Sequence, residues 1–347
     1  MISDYNKTVG DYYDIDSYDF DKRYWKNLIL QKIRQDFREN TKKLEFDNAL
    51  EIGCGTGIDL LHFSKIFPEK SFSGIDVSPK MVEISQSKID QAKISNCDIQ
   101  QGSPEEISKI YPNKKFDLIY VYFGALNTVE NFKEAADKII ECCEEEGYLV
   151  LSFVNKHYLA EVLLNLFRLR FNDAFRRYKK VWGGYSPSKH LDSKCFSPRE
   201  IRKIFLPANI EIFRAGYSIL YPAWYRNHWL NKLGSIGNKL WRIDSILNNS
   251  FLWQFGEYPL MHFACVFLAP IFSIILAVGF FVIFMSLFIS DYVSIFLDLV
   301  APPMESFINL CSEWGQLSQL LLSSTESFDG RVVLAFYTFI LFPRRLC

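Results

Sequence analysis

Apolar and polar positions along the first 260 residues switch repeatedly between a helical and an extended period. From Trp25 to Arg38 apolar residues recur three and four apart with charges between them, which predicts a helix. Ala49 to Ile52 is a short apolar run ending in glycines, and Leu60 to Ile66 returns to helical spacing. The alternation continues with a strand at Ser71 to Ile75, a helix at Lys80 to Ile89, strands at Asn96 to Gln101 and Phe116 to Tyr122, a helix at Phe132 to Cys143, and a strand at Tyr148 to Phe153. Strands alternating with helices over short connections predict a parallel sheet with helices on both faces.

Past Asn155 the pattern loosens. Tyr158 to Tyr178 reads as helical and carries several arginines, and Trp182 to Pro187 is rich in turn residues. Ser197-Pro198-Arg199-Glu200 has the form of a helix start, with serine at the cap, proline first and glutamate three residues after the serine. Ile210 to Phe213 predicts a strand, and His262 to Leu268 a last one. The segment between them contains Trp224, Tyr225, Trp229, Trp241 and Trp253, which suit either an apolar acceptor pocket or a membrane-facing surface.

Charge changes abruptly near Tyr258. No Asp, Glu, Lys or Arg occurs from Tyr258 to Ser290, and from Asp291 to Gly330 every charge is acidic. The uncharged stretch Pro270 to Ser290 is about the length of a bilayer-spanning helix. Lys232, Lys239 and Arg242 precede it, so a span would keep the preceding domain inside. Val332 to Phe342 is apolar but short for a span, and suits a re-entrant or interfacial segment. The N-terminus becomes acidic within a few residues and has no apolar core of a signal peptide, so the catalytic part is expected in the cytoplasm.

Composition narrows the function. The 347 residues are 49% hydrophobic and 16% aromatic, enough for a substantial core. Lysine plus arginine number 39 against 40 acidic residues, which gives no basic excess to support a nucleic-acid partner. Eight cysteines are scattered with no C-x-x-C pair, so neither a zinc centre nor a dithiol redox site is indicated.

Candidate chemistry concentrates at Glu51-Ile52-Gly53-Cys54-Gly55-Thr56-Gly57. The segment follows an apolar strand and opens a helix, where glycines let the backbone turn tightly and approach a ligand. Its spacing is G-x-G-x-G. A dinucleotide oxidoreductase would call for G-x-G-x-x-G, which disfavours that reading. Roughly twenty residues on, Gly74-Ile75-Asp76-Val77-Ser78-Pro79-Lys80-Met81 puts a carboxylate at the end of the next strand, where it can accept from ribose hydroxyls or cap the following helix.

Leu50 to Gly57 resembles motif I of the Rossmann-like S-adenosylmethionine-dependent methyltransferases, and the resemblance runs from about Tyr12 to about Ala269. It implies that Gly53, Cys54, Gly55 and Gly57 pass beneath S-adenosylmethionine, that Glu51 positions the turn and the methionine end, and that Asp76, with Val77, takes the ribose. Met81 matches a position near the adenine. At Gln101-Gly102-Ser103-Pro104-Glu105 this chain has serine where the family often has an aspartate that contacts the adenine amine. Adenine recognition then falls to backbone groups, to Ser103 or to Glu105. Phe116-Asp117-Leu118-Ile119 and Tyr122-Phe123-Gly124-Ala125-Leu126-Asn127 resemble the fourth strand and its loop, which implicates Tyr122. The N-terminal aromatic stretch often folds over the cofactor in this family, which implicates Tyr12 and Tyr13.

The expected architecture is therefore an α/β, doubly wound, mostly parallel seven-stranded sheet in residues 1–269. Helical lid insertions are expected at about 156–196 and 216–257. A hydrophobic tail at 270–347 carries a candidate transmembrane helix at 270–290. The expected reaction is in-line transfer of a methyl group from S-adenosylmethionine to a small-molecule or lipid-like acceptor, which demands alignment more than catalytic groups. His190, Tyr185 and Asn127 are the candidates on the acceptor side. The arginines from Arg168 to Arg177 read either as an anion or headgroup contact or as a solvated helix face. The competing expectation is a non-catalytic, membrane-tethered module that keeps the fold.

Overall fold

A computed structural model of the chain describes residues 3–183, 191–206 and 209–265. The chain divides into two compact units, Met1–Ile271 and Phe272–Cys347, and every described residue belongs to the first. The expected span at 270–290 and the apolar run Val332 to Phe342 lie outside the described residues. Among the described residues, no helix is long and apolar enough to cross a membrane.

Seven strands form one sheet: β1 (Asn48–Ile52), β2 (Ser71–Asp76), β3 (Cys97–Gln101), β4 (Phe116–Val121), β5 (Cys143–Ser152), β6 (Asn209–Tyr217) and β7 (Tyr258–Cys265). Their order is β3-β2-β1-β4-β5-β7-β6. Pairing is parallel from β3 through β5, and β7 runs antiparallel to both β5 and β6. The fold is thus the doubly wound, Rossmann-like α/β arrangement. The chain order reverses between β1 and β4, which puts the topological switch point at their carboxyl ends.

The helices are α1 (Asp4–Asp16), α2 (Phe20–Lys26), α3 (Leu28–Thr41), α4 (Ile58–Ile66), α5 (Pro79–Gln91), α6 (Ile107–Ile110), α7 (Phe132–Cys142), α8 (Leu159–Phe167), α9 (Phe171–Ala174), α10 (Pro198–Phe205), α11 (His228–Leu233) and α12 (Ser235–Leu247). Successive strand residues face opposite sides of the sheet, so the core splits in two. Leu50, Ile52, Ile119 and Val121 pack with α7 and α10 through Ala135, Ile139, Ile201 and Phe205. Ala49, Leu118, Tyr120 and Val150 pack with α3 and α4 through Ile29, Ile33, Phe37 and Phe63.

Several elements differ from the sequence expectation, each for a local reason. The helix expected over Trp25 to Arg38 is two helices, because Asn27 is extended and its side chain accepts from the Leu30 amide as the cap of α3. The helix expected over Tyr158 to Tyr178 breaks at Leu169, which takes a φ of +58°, while the Arg170 amide returns to the Asn165 carbonyl. The last strand starts earlier than His262, because Tyr258 pairs with Tyr217 of β6 and Leu260 with Ser152 of β5. The helix α1 had no counterpart in the pattern reading; its start is capped by Ser3, whose Oγ accepts from the Asn6 amide. The capping box at Ser197 and Glu200 is present in full.

One buried ion group fixes α3 to α4 beneath the sheet. Asp59, in the first turn of α4, accepts from Arg34 at 2.5 Å and from Arg38 at 2.7 Å, and Arg38 also donates to the Ile58 carbonyl. Asp59 is almost fully buried, and both guanidinium groups are nearly so. Removing one member of such a group leaves uncompensated buried charge, which costs about 3–5 kcal/mol. Asp59→Ala is therefore expected to lower the unfolding free energy by about that amount in urea titration. A loss under about 1 kcal/mol would show that the group is not a determinant of stability.

Candidate active site

The turn after β1 is built on three glycines with left-handed backbone, at φ values of +69° for Gly53, +55° for Gly55 and +73° for Gly57. They are held for different reasons. A Cβ at Gly53 would drive into the Ala125 side chain from the loop after β4, and one at Gly57 would drive into Ser85 of α5. A Cβ at Gly55 would meet only the Phe20 ring, at 4.0 Å, so this glycine has an open face. The amides of Gly53 and Cys54 both donate to the Ile75 carbonyl, at 2.8 and 3.1 Å. Cys54 is buried, with its sulfur beside Gly74.

Asp76 closes the arrangement from β2. Its Oδ2 accepts from the Gly55 amide at 2.8 Å, its Oδ1 accepts from the Ser78 amide at 2.9 Å, and its carbonyl accepts from the Gly102 amide. Burial pushes its carboxyl up to about 6, while the Ser78 and Gly55 amides pull the other way. Met81 is buried just beyond, its amide capped by the Ser78 hydroxyl.

The helix α1 lies over this edge. Asp14 accepts from the Ser78 hydroxyl at 2.5 Å and from the Lys80 amide at 3.0 Å. Asp21 accepts from Thr56 Oγ1 at 2.5 Å, which ties the start of α2 to the glycine turn. Val9, Tyr12 and Leu191 form a small apolar cluster with Tyr5, Tyr13 and Val77 around it. Tyr12 and Tyr13 meet edge to face at 5.2 Å. Burial, with Tyr12 and then Asp76 nearby, raises the Tyr13 phenol well above its ordinary value. The structure thus brings Tyr12, Gly53, Gly55, Gly57, Asp76, Val77 and Gly102 together at the carboxyl ends of β1, β2 and β3.

Ser103 stands at the rim, almost fully buried, and its hydroxyl has no hydrogen-bond partner. Glu105 Oε2 is likewise buried without a partner. Both line an open, mainly polar cleft of about 620 Å³ that also touches Ser3, Asn6 and Lys194. These are unsatisfied polar atoms just after Gly102 in the chain, whose amide bonds the Asp76 carbonyl, at the segment where the family resemblance implies adenine recognition.

Glu51, near the end of β1, is buried. Its Oε2 accepts from the Tyr120 hydroxyl at 3.2 Å, among Asp59, Arg34 and Arg38. Burial, then the Asp59 charge, raises its carboxyl well above the ordinary range. The same surroundings hold His62 down to about 4, through burial and the Arg38 charge.

Two expected site residues are corrected in part or whole. The Tyr122 side chain turns into the helix layer, where its hydroxyl lies 2.6 Å from Thr41 Oγ1 and reaches the Phe37 carbonyl. Its phenol is therefore spent on α3 and does not enter the site. Asn127 is buried with its amide fully engaged: Nδ2 donates to the Val154 and Lys194 carbonyls, and Oδ1 accepts from the Val154 amide. It clamps the loop after β4 to the segment before α10, which removes it as a free acceptor-side group. Tyr185 and His190 lie outside the described residues.

Sequence reading did not single out a second buried ion group, on the β5 and β7 side. Arg177, only 3% exposed at its side chain, pairs with Glu161 of α8 at 2.7 Å and with Glu257 at 3.3 Å. Arg176 and the Tyr225 hydroxyl also reach Glu161. The arginines outweigh burial and hold the Glu161 carboxyl below its ordinary value. Glu257 Oε2 is buried with no hydrogen bond, and burial pushes this carboxyl up to about 7 despite Arg177. The next residue, Tyr258, packs edge to face on Phe123 of the loop after β4 at 5.5 Å. The only sequence signal at Glu257 was its place as the last charge before the uncharged run.

Comparison with known proteins bears on this geometry. Residues 43–205 match the family model described as a methyltransferase domain. The chain is 34% identical over 141 residues to an uncharacterized protein of Rickettsia prowazekii (strain Madrid E), covering 41% of this chain and 54% of that protein. It is 27% identical over 128 residues to demethylmenaquinone methyltransferase of Listeria welshimeri, covering 35% and 53%. The matches span about half the length of these curated relatives. Among solved structures it is similar to the N-methyltransferase NodS of Bradyrhizobium japonicum in complex with S-adenosyl-L-homocysteine, at 17% identity and a TM-score of 0.41, covering 69% of this chain and 88% of that one.

The raised Glu257 pKa gives a signed expectation for stability. The folded protein holds this proton more tightly than the unfolded chain, whose value is near 4.5. The stability it contributes is full below pH 4.5 and is lost as pH rises through about 7. Glu257→Gln keeps the neutral form at every pH. Its melting temperature, relative to the parent, is expected to climb between pH 4.5 and 7. A difference that stays constant across that window would remove Glu257 as a titrating group.

Proposed function

We propose that this chain is an S-adenosylmethionine-dependent methyltransferase acting on a small-molecule or lipid-like acceptor. The observation that carries the reading is the glycine turn at the β1–β4 switch point, with the open face of Gly55 beside the buried Asp76 carboxylate. A cofactor passing over Gly55 would fill the space that a Cβ would otherwise occupy, and the unpartnered Ser103 hydroxyl and the free Oε2 of Glu105, whose Oε1 accepts from the Asn131 amide, are suited to an adenine. The match of residues 43–205 to a methyltransferase domain supports the same reading.

In this reading each oxygen of Asp76 keeps an acceptor site beyond its backbone amide, and these receive the ribose hydroxyls. The glycine turn supports the methionine end, Met81 packs at the adenine, and α1 with Tyr12 and Tyr13 shields the cofactor from water. Glu51 acts from below, holding the end of β1 through Tyr120 and the arginine pair. The sulfonium, when bound, supplies an electrophilic methyl group for in-line displacement. The chain has to hold the acceptor atom near that carbon and opposite the leaving sulfur, a task of orientation rather than proton transfer. The loop after β4, through Phe123, and the segments carrying Tyr225 and Tyr258 form the acceptor side. The tail at 270–290 is proposed as a membrane anchor that leaves this domain in the cytoplasm.

Calorimetric titration of the full chain with S-adenosylmethionine tests the proposal. Asp76→Ala is expected to weaken binding on the order of a hundredfold or more, because two hydrogen bonds to a charged group are worth roughly 3 kcal/mol or more. Affinity of the parent is also expected to fall as pH drops through about 6, where Asp76 takes up its proton. No binding by a protein shown to be folded would sink the methyltransferase reading and favour a non-catalytic module.

A further inference from the structure

The helical hairpin of α8 and α9 presents an apolar surface that the rest of the described fold leaves uncovered. Leu159, Leu163 and Phe167 are four residues apart, so they share one face of α8. All three are exposed, with Phe167 at 88%. The surface continues through Leu169, at 76%, and through Phe171, Phe175 and Tyr178. Large exposed apolar side chains gather here in one short stretch, and contiguous patches of this kind mark interaction sites.

The hairpin is not loosely attached. Glu161 joins its two arms through Arg176 at 2.6 Å and Arg177 at 2.7 Å, and the hairpin is fixed to the sheet side by Arg177 on Glu257 and the Asn155 carbonyl and by the Tyr225 hydroxyl on Glu161. The outward display of leucine and phenylalanine is therefore held in place by buried ion pairs. Basic residues rim the patch: Arg168, Arg170, Lys179 and Lys180 are exposed, against one exposed carboxylate, Asp173. Arg168 to Lys180 thus has a clear excess of positive charge at the surface, in a chain whose totals are balanced.

We propose that this hairpin is a membrane-docking surface that seats on anionic lipid. Leucine and phenylalanine on one face with arginine and lysine around it is the composition of a helix that lies in the bilayer interface, its apolar side among the acyl chains and its cations at the headgroups. Charge argues for lipid over a second copy of this chain. A two-fold contact would set the same patch against itself and bring Arg168, Arg170, Lys179 and Lys180 toward their own counterparts. Docking through this face is independent of the cofactor reading and of the C-terminal tail.

Hydrogen–deuterium exchange on the full chain tests the proposal, because it locates a contact along the sequence whatever the tail does. Vesicles of phosphatidylcholine mixed with phosphatidylglycerol are expected to slow exchange across 159–181, and pure phosphatidylcholine vesicles to do so far less. Leu163→Glu with Phe167→Glu is expected to abolish that protection while S-adenosylmethionine binding and circular dichroism stay as in the parent. Reversing Arg168 and Arg170 to glutamate is expected to weaken it about tenfold or more. Unchanged exchange at 159–181 with anionic vesicles overturns the proposal. So does protection present without vesicles, whether constant, as when the chain covers its own patch, or rising with protein concentration, as in self-association.

Discussion

The coupling of the glycine turn to the end of β2 is the constraint from which most of this structure follows. The Gly53 and Cys54 amides reach the Ile75 carbonyl, and the Gly55 amide reaches Asp76 Oδ2. Those bonds need three successive left-handed residues at alternate positions, a backbone that only glycine adopts freely. Once the turn is set, α4 must start at Ile58, which puts Asp59 in its first turn under the sheet. Asp59 then requires cations, and Arg34 and Arg38 of α3 supply them. The same bonds bury Asp76, and burial raises its carboxyl. Covering that edge falls to α1, tethered by Asp14 to the Ser78 hydroxyl. One turn thus fixes a strand end, two helices and a cover.

The two buried ion groups share a pattern. Beneath the turn, Arg34 and Arg38 face Asp59 and Glu51; beside β7, Arg176 and Arg177 face Glu161 and Glu257. Each set has two cations and two carboxylates, and within each the carboxylates are unequal. Asp59 and Glu161 take the direct, short ion pairs. Glu51 and Glu257 are left with longer or fewer contacts, and their pKa values rise because desolvation outweighs the nearby arginines. Burying several charges is expensive unless they balance, and although Arg176 keeps 38% of its side chain exposed, the protonatable carboxylate lets each group shed charge that its surroundings cannot support. The same property makes Glu257 sensitive near neutral pH.

The sheet and the glycine turn at its carboxyl edge were legible from sequence because their signals are local. An apolar run followed by G-x-G-x-G, an acid at the next strand end and a Ser-Pro-Arg-Glu capping sequence each act within a few residues. What escaped depended on partners far along the chain. Asn27 breaks a helix that periodicity would continue, and its amide also reaches Trp224. Tyr122 follows an apolar strand in the expected place, yet its direction is set by Thr41. Asn127 looked available until its carbonyl partners at Val154 and Lys194 folded around it. Glu257 showed only as the last charge before the uncharged run, since its role comes from Arg177 eighty residues earlier. The expected tail span and the residues Tyr185 and His190 fall outside the described residues.

On the proposed methyltransferase reading, the acceptor side is obscure for a chemical reason as well. In-line displacement on a sulfonium needs a nucleophile held in place, and shape can do that without a recognisable triad or metal cluster. In that reading the shape is assigned to the segments between β5 and α10 and between β6 and β7, where the periodic pattern is weakest. Those segments are also where aromatic residues concentrate and where the α8–α9 hairpin turns leucine and phenylalanine outward. A chain that spends charge pairs such as Glu161–Arg177 to hold apolar residues in solvent is using stability to maintain a surface. The buried face of that hairpin and its exposed face are thus two sides of one constraint: the ion group that closes the β7 side of the domain also determines what the domain presents to its surroundings.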